Sequence, residues 1–304
     1  MKIIKKIHTA AYHPIADLIT YSPLPSPDLS QIDPFLFLNH HGPQVYAPDN
    51  QGLPFGPHPH RGMETVTFIL SGDVMHQDSG GHESIIKAGG VQWMTAGRGL
   101  MHAEVSSPEF KKKGGPLEIL QLWLNLPARL KMTEPFYLGL QKEQIPSFSI
   151  NDKVHLALIA GQWEGNSGAF QPQTDVFLGT LALQSGGSLV LDIPASSNVF
   201  FYLIKGALLV NGQGVAERQL VEFGPEGSEI AMEATQESLL LLGHATPFQE
   251  PIVAQGPFVM NTIEEIQQAY RDYQMGKFGV WNMKTKAWAI AWRTKRQFSG
   301  NYYF

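Results

Sequence analysis

Hydrophobic and polar positions alternate with a period of two along much of this chain. The clearest run is Glu64–Leu70, which Gly72 closes, and Leu120–Leu126 is a continuous apolar run that Pro127 ends. Alternation is typical of β-strands with one buried face, and short continuous apolar runs fit fully buried strands. Ser79-Gly80-Gly81 is predicted to form a hairpin turn between two further strands. The pattern therefore predicts an all-β fold.

One segment departs from this pattern and has the period of about 3.6 residues that marks an amphipathic helix. It is Thr262–Gln274, for which Asn261 or Thr262 is the expected cap and Gly276 the expected stop. The apolar stripe expected to pack against the rest of the protein consists of Ile263, Ile266, Ala269 and Tyr270.

Composition narrows the class of protein. A chain of 304 residues is long enough for two domains. Its net charge of −5 argues against a nucleic-acid partner. There is no cysteine, so any metal must be held by nitrogen and oxygen ligands, which suit Fe, Mn, Ni, Cu or Zn. No stretch reads as a signal peptide or as a membrane span, so a cytoplasmic location is expected.

Two short motifs carry the candidate chemistry. His58 and His60 stand one residue apart before the run that starts at Glu64, and His102 and Glu104 stand one residue apart further on. Residues i and i+2 of a strand face the same side. Two such pairs on neighbouring strands can aim three imidazoles and a carboxylate at one point, which predicts a metal site.

The other histidines are expected to have ordinary structural roles. His76 and His82 flank the predicted hairpin turn, and residues in that position are usually exposed to solvent. His155 and His244 lack a potential ligand two residues away. None of the four is predicted to bind the metal.

The motifs resemble those of a known family. Their glycine and histidine frame resembles the two motifs of the cupin superfamily, which are small antiparallel barrels that hold one metal. Longer strings resemble the pirin family more narrowly, over residues 5–279 in all. These strings are HPHRGMETVTFILSG, GVQWMTAGRGLMHAE, LQLWLNLP and, near the C-terminus, QGPFVMNTIEEIQQAYRDYQMGKFG.

The resemblance implies two antiparallel, jelly-roll-like cupin β-barrels in one chain, with a short C-terminal helix. The expected domains are an N-terminal metal-binding barrel at residues 1–135, a degenerate barrel at 140–260, a closing helix segment at 261–279 and a basic, aromatic tail at 280–304. Aligning Val199–Gly206 with Thr65–Gly72 puts Asp192 and Pro194 at the places of His58 and His60. The second barrel is therefore expected to hold no metal.

The resemblance also implies an activity, that of quercetin 2,3-dioxygenase at a mononuclear non-haem metal. Fe(II) is the expected metal, with Mn, Ni, Cu, Zn and Co as alternatives, and the implied ligands are His58, His60, His102 and Glu104. In this reaction the 3-hydroxyl group of a flavonol loses its proton, the anion binds the metal, and O₂ opens the central ring with release of carbon monoxide. Glu104 is expected to take the proton. Val66 and Phe68 share the parity of the ligands, so they are expected to line the substrate pocket.

The choice of glutamate has an alternative. Ordinary cupins take it from the first motif, which offers Glu64, whereas pirins take it from the second, which offers Glu104. Strand parity does not decide between the two residues. Gly62 can bend the strand and turn Glu64 aside, and together with the resemblance to pirins this favours Glu104 as the ligand.

Two other functions fit the same residues. One is an iron-dependent, redox-sensing regulator that binds a transcription factor or a metabolic enzyme. The other is a cupin isomerase or epimerase with a different substrate. For the dioxygenase the expected partners are a flat flavonol and O₂, and the protein is expected to be a monomer that contacts no membrane.

Overall fold

Antiparallel β-strands make up most of the chain in the computed structural model, which describes residues 1–281. From residue 282 onward, the predicted basic, aromatic tail at 280–304 lies outside the described residues. The first twelve strands are β1 (Ile4–Thr9), β2 (Ala11–Tyr12), β3 (Thr20–Leu24), β4 (Phe35–Tyr46), β5 (Phe55–His60), β6 (Met63–Ser71), β7 (Asp73–Asp78), β8 (Glu83–Lys87), β9 (Val91–Thr95), β10 (Leu100–Val105), β11 (Gly115–Asn125) and β12 (Phe136–Leu140).

The remaining strands follow the same rhythm. They are β13 (Ser147–Asn151), β14 (Val154–Ala160), β15 (Gln162–Trp163), β16 (Asn166–Ser167), β17 (Val176–Leu183), β18 (Ser188–Asp192), β19 (Asn198–Lys205), β20 (Ala207–Val210), β21 (Gln213–Ala216), β22 (Gln219–Phe223), β23 (Glu229–Ala234), β24 (Ser238–Ala245), β25 (Val253–Gln255) and β26 (Phe258–Met260). The predicted turn at Ser79-Gly80-Gly81 joins β7 to β8, as expected.

The helices are short. They are α1 (Pro108–Lys113) and α2 (Ile263–Gln274), with 3₁₀ turns at Ala128–Leu130 and Lys142–Gln144. Thr262 caps α2, because its hydroxyl accepts a hydrogen bond from the Glu265 backbone N–H and its own N–H donates to the Glu265 carboxylate. Ile263 is 50% exposed, so it does not belong to the predicted buried stripe. None of the helices in residues 1–281 is long and apolar enough to span a bilayer.

The strands form two barrels, each from a seven-stranded and a four-stranded sheet. The first barrel combines the order β12-β9-β6-β11-β4-β3-β2 with β5-β10-β7-β8. The second barrel combines β1-β22-β19-β24-β17-β14-β13 with β18-β23-β20-β21. The two orders correspond strand by strand, with β5 matching β18 and β6 matching β19. The predicted all-β class with two barrels and a short C-terminal helix is confirmed.

The seven-stranded sheets pack against each other and create a core between the barrels, called the interbarrel core below. Leu120 and Leu122 come from the first barrel, Tyr202 comes from the second, and the rings of Phe35 and Phe200 stack at 5.1 Å. Each large apolar side chain buried there stabilises the fold by about 2 kcal/mol. The interior of the second barrel is also apolar. The first barrel, by contrast, has many polar residues inside.

Two strands, β1 and β12, belong to a different barrel from the one predicted for them. The predicted boundaries of the N-terminal domain are therefore wrong. β1 pairs with β22 of the second barrel, whereas residues 1–135 were expected to form the first barrel. In turn, β12 lies beyond residue 135 but pairs with β9 of the first barrel. Each barrel therefore takes an edge strand from outside its predicted range, which the local pattern of a single strand cannot reveal.

Candidate metal centre

Three imidazoles converge inside the first barrel. His58 and His60 lie on β5 and His102 lies on the neighbouring β10, where it sits directly across from His58. Their ring centroids are 4.4 to 5.0 Å apart, and one nitrogen from each ring lies within 4.8 Å of the others. The structure thus brings together the three histidines that the i, i+2 spacing singled out.

The surroundings of these rings suit a metal. Burial lowers the pKa of His58, and it holds the pKa values of His60 and His102 well below the ordinary range, so the imidazoles are neutral and can act as ligands. Neither ring nitrogen of His102 has a hydrogen-bond partner among residues 1–281, although the side chain is buried. A buried polar group without a partner is costly, and a metal ion would satisfy it.

Backbone carbonyl groups orient the other two rings. His58 Nδ1 lies 2.7 Å from the carbonyl oxygen of Gly56, and His60 Nδ1 lies 3.2 Å from that of Pro257. Each carbonyl accepts a hydrogen bond from Nδ1–H, which leaves the lone pair on Nε2 for a ligand. The residues present therefore fit a bound divalent metal.

Glu104 lies beside the cluster on β10, with the same parity as His102. Its Oε1 lies 2.6 Å from Thr67 Oγ1 and also accepts a hydrogen bond from Gln92 Nε2. Among the described residues no donor reaches Oε2. Burial raises the pKa of Glu104 to about 7, although both hydrogen bonds oppose the shift. Glu104 does not lie within the 4.8 Å that encloses the three imidazole nitrogens.

The residues that hold Glu104 were not identified from the sequence. Gln92 Oε1 accepts a hydrogen bond from the Tyr137 hydroxyl group at 3.1 Å. The Tyr137 ring stacks on His76 with centroids 3.7 Å apart and an interplanar angle of 7°. Inward parity on β9 was the available signal for Gln92, but parity alone does not distinguish it from other alternating residues.

The burial of His76 differs from the prediction. It was expected to be exposed beside the turn, but it is fully buried, and its ring centroid lies 5.5 Å from that of His102. Its Nε2 lies 3.2 Å from Asp78 Oδ2, and His82, which is half-exposed, bonds the same carboxylate. Neither histidine belongs to the cluster of three.

The pocket predicted from Val66 and Phe68 is wrong. Both side chains lie in the interbarrel core, and Glu64 faces the same way, with Oε1 accepting a hydrogen bond from Thr95 Oγ1 at 2.7 Å. The ligand strand β5 belongs to the four-stranded sheet and β6 to the seven-stranded sheet. Gly62, at φ +79°, forms the corner between them. Strand parity is therefore not carried from His60 to β6.

The C-terminal segment reaches back to this site. The Pro257 carbonyl contacts His60, and next to it Arg61 Nη1 pairs with Asp272 Oδ2 of α2 at 2.9 Å. The Arg61 guanidinium also lies 4.6 Å from the centre of the Phe278 ring. Residues 253–279 therefore pack on the first barrel and fix one of its histidines.

The second barrel has apolar side chains where the first has ligands. Leu191 and Ile193 point into its core, and Ile230 and Met232 face them from β23. Asp192, which the sequence alignment placed at a ligand position, is exposed. Within residues 1–281, His58, His60 and His102 are the one group of three or more potential ligands close enough to share a metal.

The family models and the individual proteins that match this chain point to the same family. The sequence model described as pirin matches residues 18–124, and that of the pirin C-terminal cupin domain matches residues 179–279. A Pseudomonas aeruginosa protein, whose name marks quercetin 2,3-dioxygenase activity as provisional, is 37% identical over 87% of this chain and 92% of its own. A pirin-like protein of Solanum lycopersicum is 35% identical over 91% of this chain and 92% of its own.

Solved structures also resemble the fold of this chain. The crystal structure of quercetin 2,3-dioxygenase from Acinetobacter baumannii has a TM-score of 0.87 and 35% identity, and the match covers 92% of this chain and 99% of that one. The bacterial pirin YhhW from Escherichia coli, solved in complex with nickel(II), has a TM-score of 0.64 and 23% identity, over 80% of this chain and 99% of its own. The second likeness supports the fold alone.

Proposed function

This chain belongs to the pirin family, and we propose that it is an iron(II)-dependent dioxygenase that cleaves flavonols such as quercetin with O₂. One observation carries the proposal: three neutral imidazoles, of which those of His60 and His102 are buried, converge beside a buried carboxyl group inside the first barrel. The likeness to a protein whose crystal structure is named quercetin 2,3-dioxygenase, at 35% identity, supports the choice of reaction.

His58, His60 and His102 would hold the metal, with Glu104 as the fourth ligand through Oε2. When bound, iron(II) supplies a Lewis-acidic, redox-active centre at which a substrate oxygen and O₂ can react. Cysteine is absent from the chain, and this all-nitrogen-and-oxygen set also suits the alternatives Mn, Ni, Cu, Zn and Co.

The remaining steps belong to the side chains themselves. The Glu104 carboxylate lies beside the imidazole cluster on β10, where it would accept the proton of a flavonol 3-hydroxyl group. Thr67 and Gln92 occupy Oε1, so they hold the other oxygen toward the substrate. Glu104, Thr67 and Gln92 are themselves buried, so bulk water does not surround the carboxyl group.

The test is oxygen uptake with quercetin, measured beside metal content. Iron-loaded protein should consume O₂, and His60→Ala should lose both metal and uptake, because the three remaining ligands hold the ion poorly. His155→Ala, which changes an exposed histidine of the second barrel, is the matched control and should behave as wild type. Equal turnover by metal-free protein would contradict the proposal, whereas iron binding without oxygen uptake would favour the regulatory alternative.

The metal centre is contained within one chain, which supports the proposal that the protein acts as a monomer. Every residue that contacts the three imidazoles in the described structure comes from the first barrel or from the C-terminal segment. The cytoplasmic location stays a prediction.

A further inference from the structure

The inward-facing residues of the first barrel differ in exposure. Phe37 on β4, Gln121 on β11, and Phe55 and His58 on β5 all remain partly exposed, whereas the inward-facing residues of β6, β9 and β10 are buried. β5 is also an edge strand of its sheet. The metal centre is therefore accessible to solvent on the side where β5 faces β4 and β11.

An aromatic pair lies at this opening. Phe37 and Trp123 are directly opposite each other on β4 and β11, and their ring centroids are 4.7 Å apart. The Trp123 ring lies 5.2 Å from His60, edge to face. An aromatic surface thus begins at the metal centre and extends to the partly exposed Phe37.

An amide pair lies two residues along the same two strands. Asn39 and Gln121 are directly opposite each other, and they share the faces of Phe37 and Trp123. Asn39 Oδ1 accepts a hydrogen bond from Ser22, and Gln121 Oε1 lies 2.8 Å from Thr67 Oγ1, whose single proton is shared between Gln121 Oε1 and Glu104 Oε1. Within residues 1–281 no protein acceptor takes a hydrogen bond from either NH₂ group. Two amide donors are therefore available to a ligand.

We propose that Phe37, Trp123, Asn39 and Gln121 form the binding site for a flat aromatic molecule that carries several ring oxygens. Its rings lie on the aromatic pair, and its oxygens accept hydrogen bonds from the two amides. The inference deepens the proposed function and rests on it, because it names the polyhydroxylated flavonols as the preferred substrates. This site replaces the substrate pocket predicted from Val66 and Phe68.

The experiment compares two ligands without turnover. Metal-loaded, full-length protein is titrated under anaerobic conditions with quercetin and with 3-hydroxyflavone, which keeps the metal-binding oxygens but lacks the other hydroxyl groups. Wild type should bind quercetin about tenfold more tightly. Asn39→Leu and Gln121→Met should each reduce that preference about threefold or more and leave the affinity for 3-hydroxyflavone unchanged. Phe37→Ala should weaken both ligands about tenfold.

The controls separate this site from the reaction. Phe136→Ala removes an exposed phenylalanine on β12 and should change neither affinity, and metal content is measured for every variant. Unchanged quercetin preference in a fully metal-loaded Asn39→Leu protein would overturn the site, as would wild type that binds no flavonol. If the preference depends on the amides but wild type consumes no O₂ with quercetin, the site stands and the proposed dioxygenase activity fails.

Discussion

Glu64 and Glu104 are two buried carboxyl groups on different sheets of the first barrel, Glu64 on β6 and Glu104 on β10. Glu104 faces the interior, where Thr67 and Gln92 bond its Oε1. Glu64 faces the interbarrel core, where Thr95 bonds its Oε1 and Oε2 has no partner within residues 1–281. Burial raises the pKa of each to about 7, because the charged form loses its hydration. The difference between them is therefore position rather than acidity.

Substituting each glutamate by glutamine tests that difference. Glu104→Gln should weaken metal binding at least about tenfold and abolish quercetin turnover, because a neutral amide replaces an anionic ligand. Glu64→Gln should retain full metal content, since this side chain faces away from the imidazoles. Metal analysis after dialysis and the absorption spectrum of the loaded protein give the readout. The opposite pattern would move the site to the arrangement of ordinary cupins.

At the residue scale, the sequence predicts those positions that follow from the alternation of side chains within one strand. His58, His60 and His102 were predicted because the i, i+2 rule holds within β5 and within β10. The pocket residues Val66 and Phe68 were misplaced because the rule was applied across Gly62, where the chain changes sheets. Corners of this kind depend on the three-dimensional path of the chain, which a linear pattern does not contain.

At the scale of elements, α2 connects the end of the chain to the first barrel. Arg61 is 5% exposed and Asp272 is 10% exposed at the side chain, so their ion pair is largely shielded from water. The pair holds α2 beside His60, whose Nδ1 is bonded by Pro257 of the same segment. The helix itself was predictable from its cap and period. Its docking site was not, because the helix and Arg61 are separated by some two hundred residues of sequence.

Asp272→Ala should therefore affect both stability and metal retention. Removing one member of a largely buried pair leaves the Arg61 charge uncompensated, which should lower the free energy of unfolding by about 3 kcal/mol. Metal should also be lost faster to a chelator, since the segment that orients His60 is loosened. Denaturant unfolding and chelator kinetics measure the two effects. Glu264→Ala, an exposed change in the first turn of α2, is the control. The role assigned to the pair would be wrong if both variants behaved alike.

At the scale of the whole molecule, the two barrels are joined by their seven-stranded sheets and by exchanged segments. β1 completes the second barrel, and residues 253–279 complete the first. The repeat of strand orders was visible in the sequence as the correspondence of β6 and β19. The sequence did not predict that β1 joins the second barrel, because an edge strand has the same alternating pattern whichever sheet it joins.

The free energy of unfolding should depend on pH through Glu64, which lies at the interbarrel core. Its pKa rises from 4.5 to about 7 on folding, so the folded state favours the protonated carboxyl group. Stability from this group is complete below about pH 4.5 and is lost as the pH rises toward 7, by up to about 3 kcal/mol. Glu64→Gln should remove this part of the pH dependence. Unfolding curves of metal-loaded wild type and Glu64→Gln between pH 4.5 and 8 measure the difference, and parallel pH profiles would refute the assignment.

The exchanged segments also set an order of events during protein synthesis. β1 is among the first residues to leave the ribosome, but its partner β22 follows more than two hundred residues later. Pro257, which fixes His60, emerges later still. Domains usually fold as they emerge, starting from the N-terminus. Here the first barrel is translated early and finished last, so metal delivery to a fully formed site has to follow translation of nearly the whole chain.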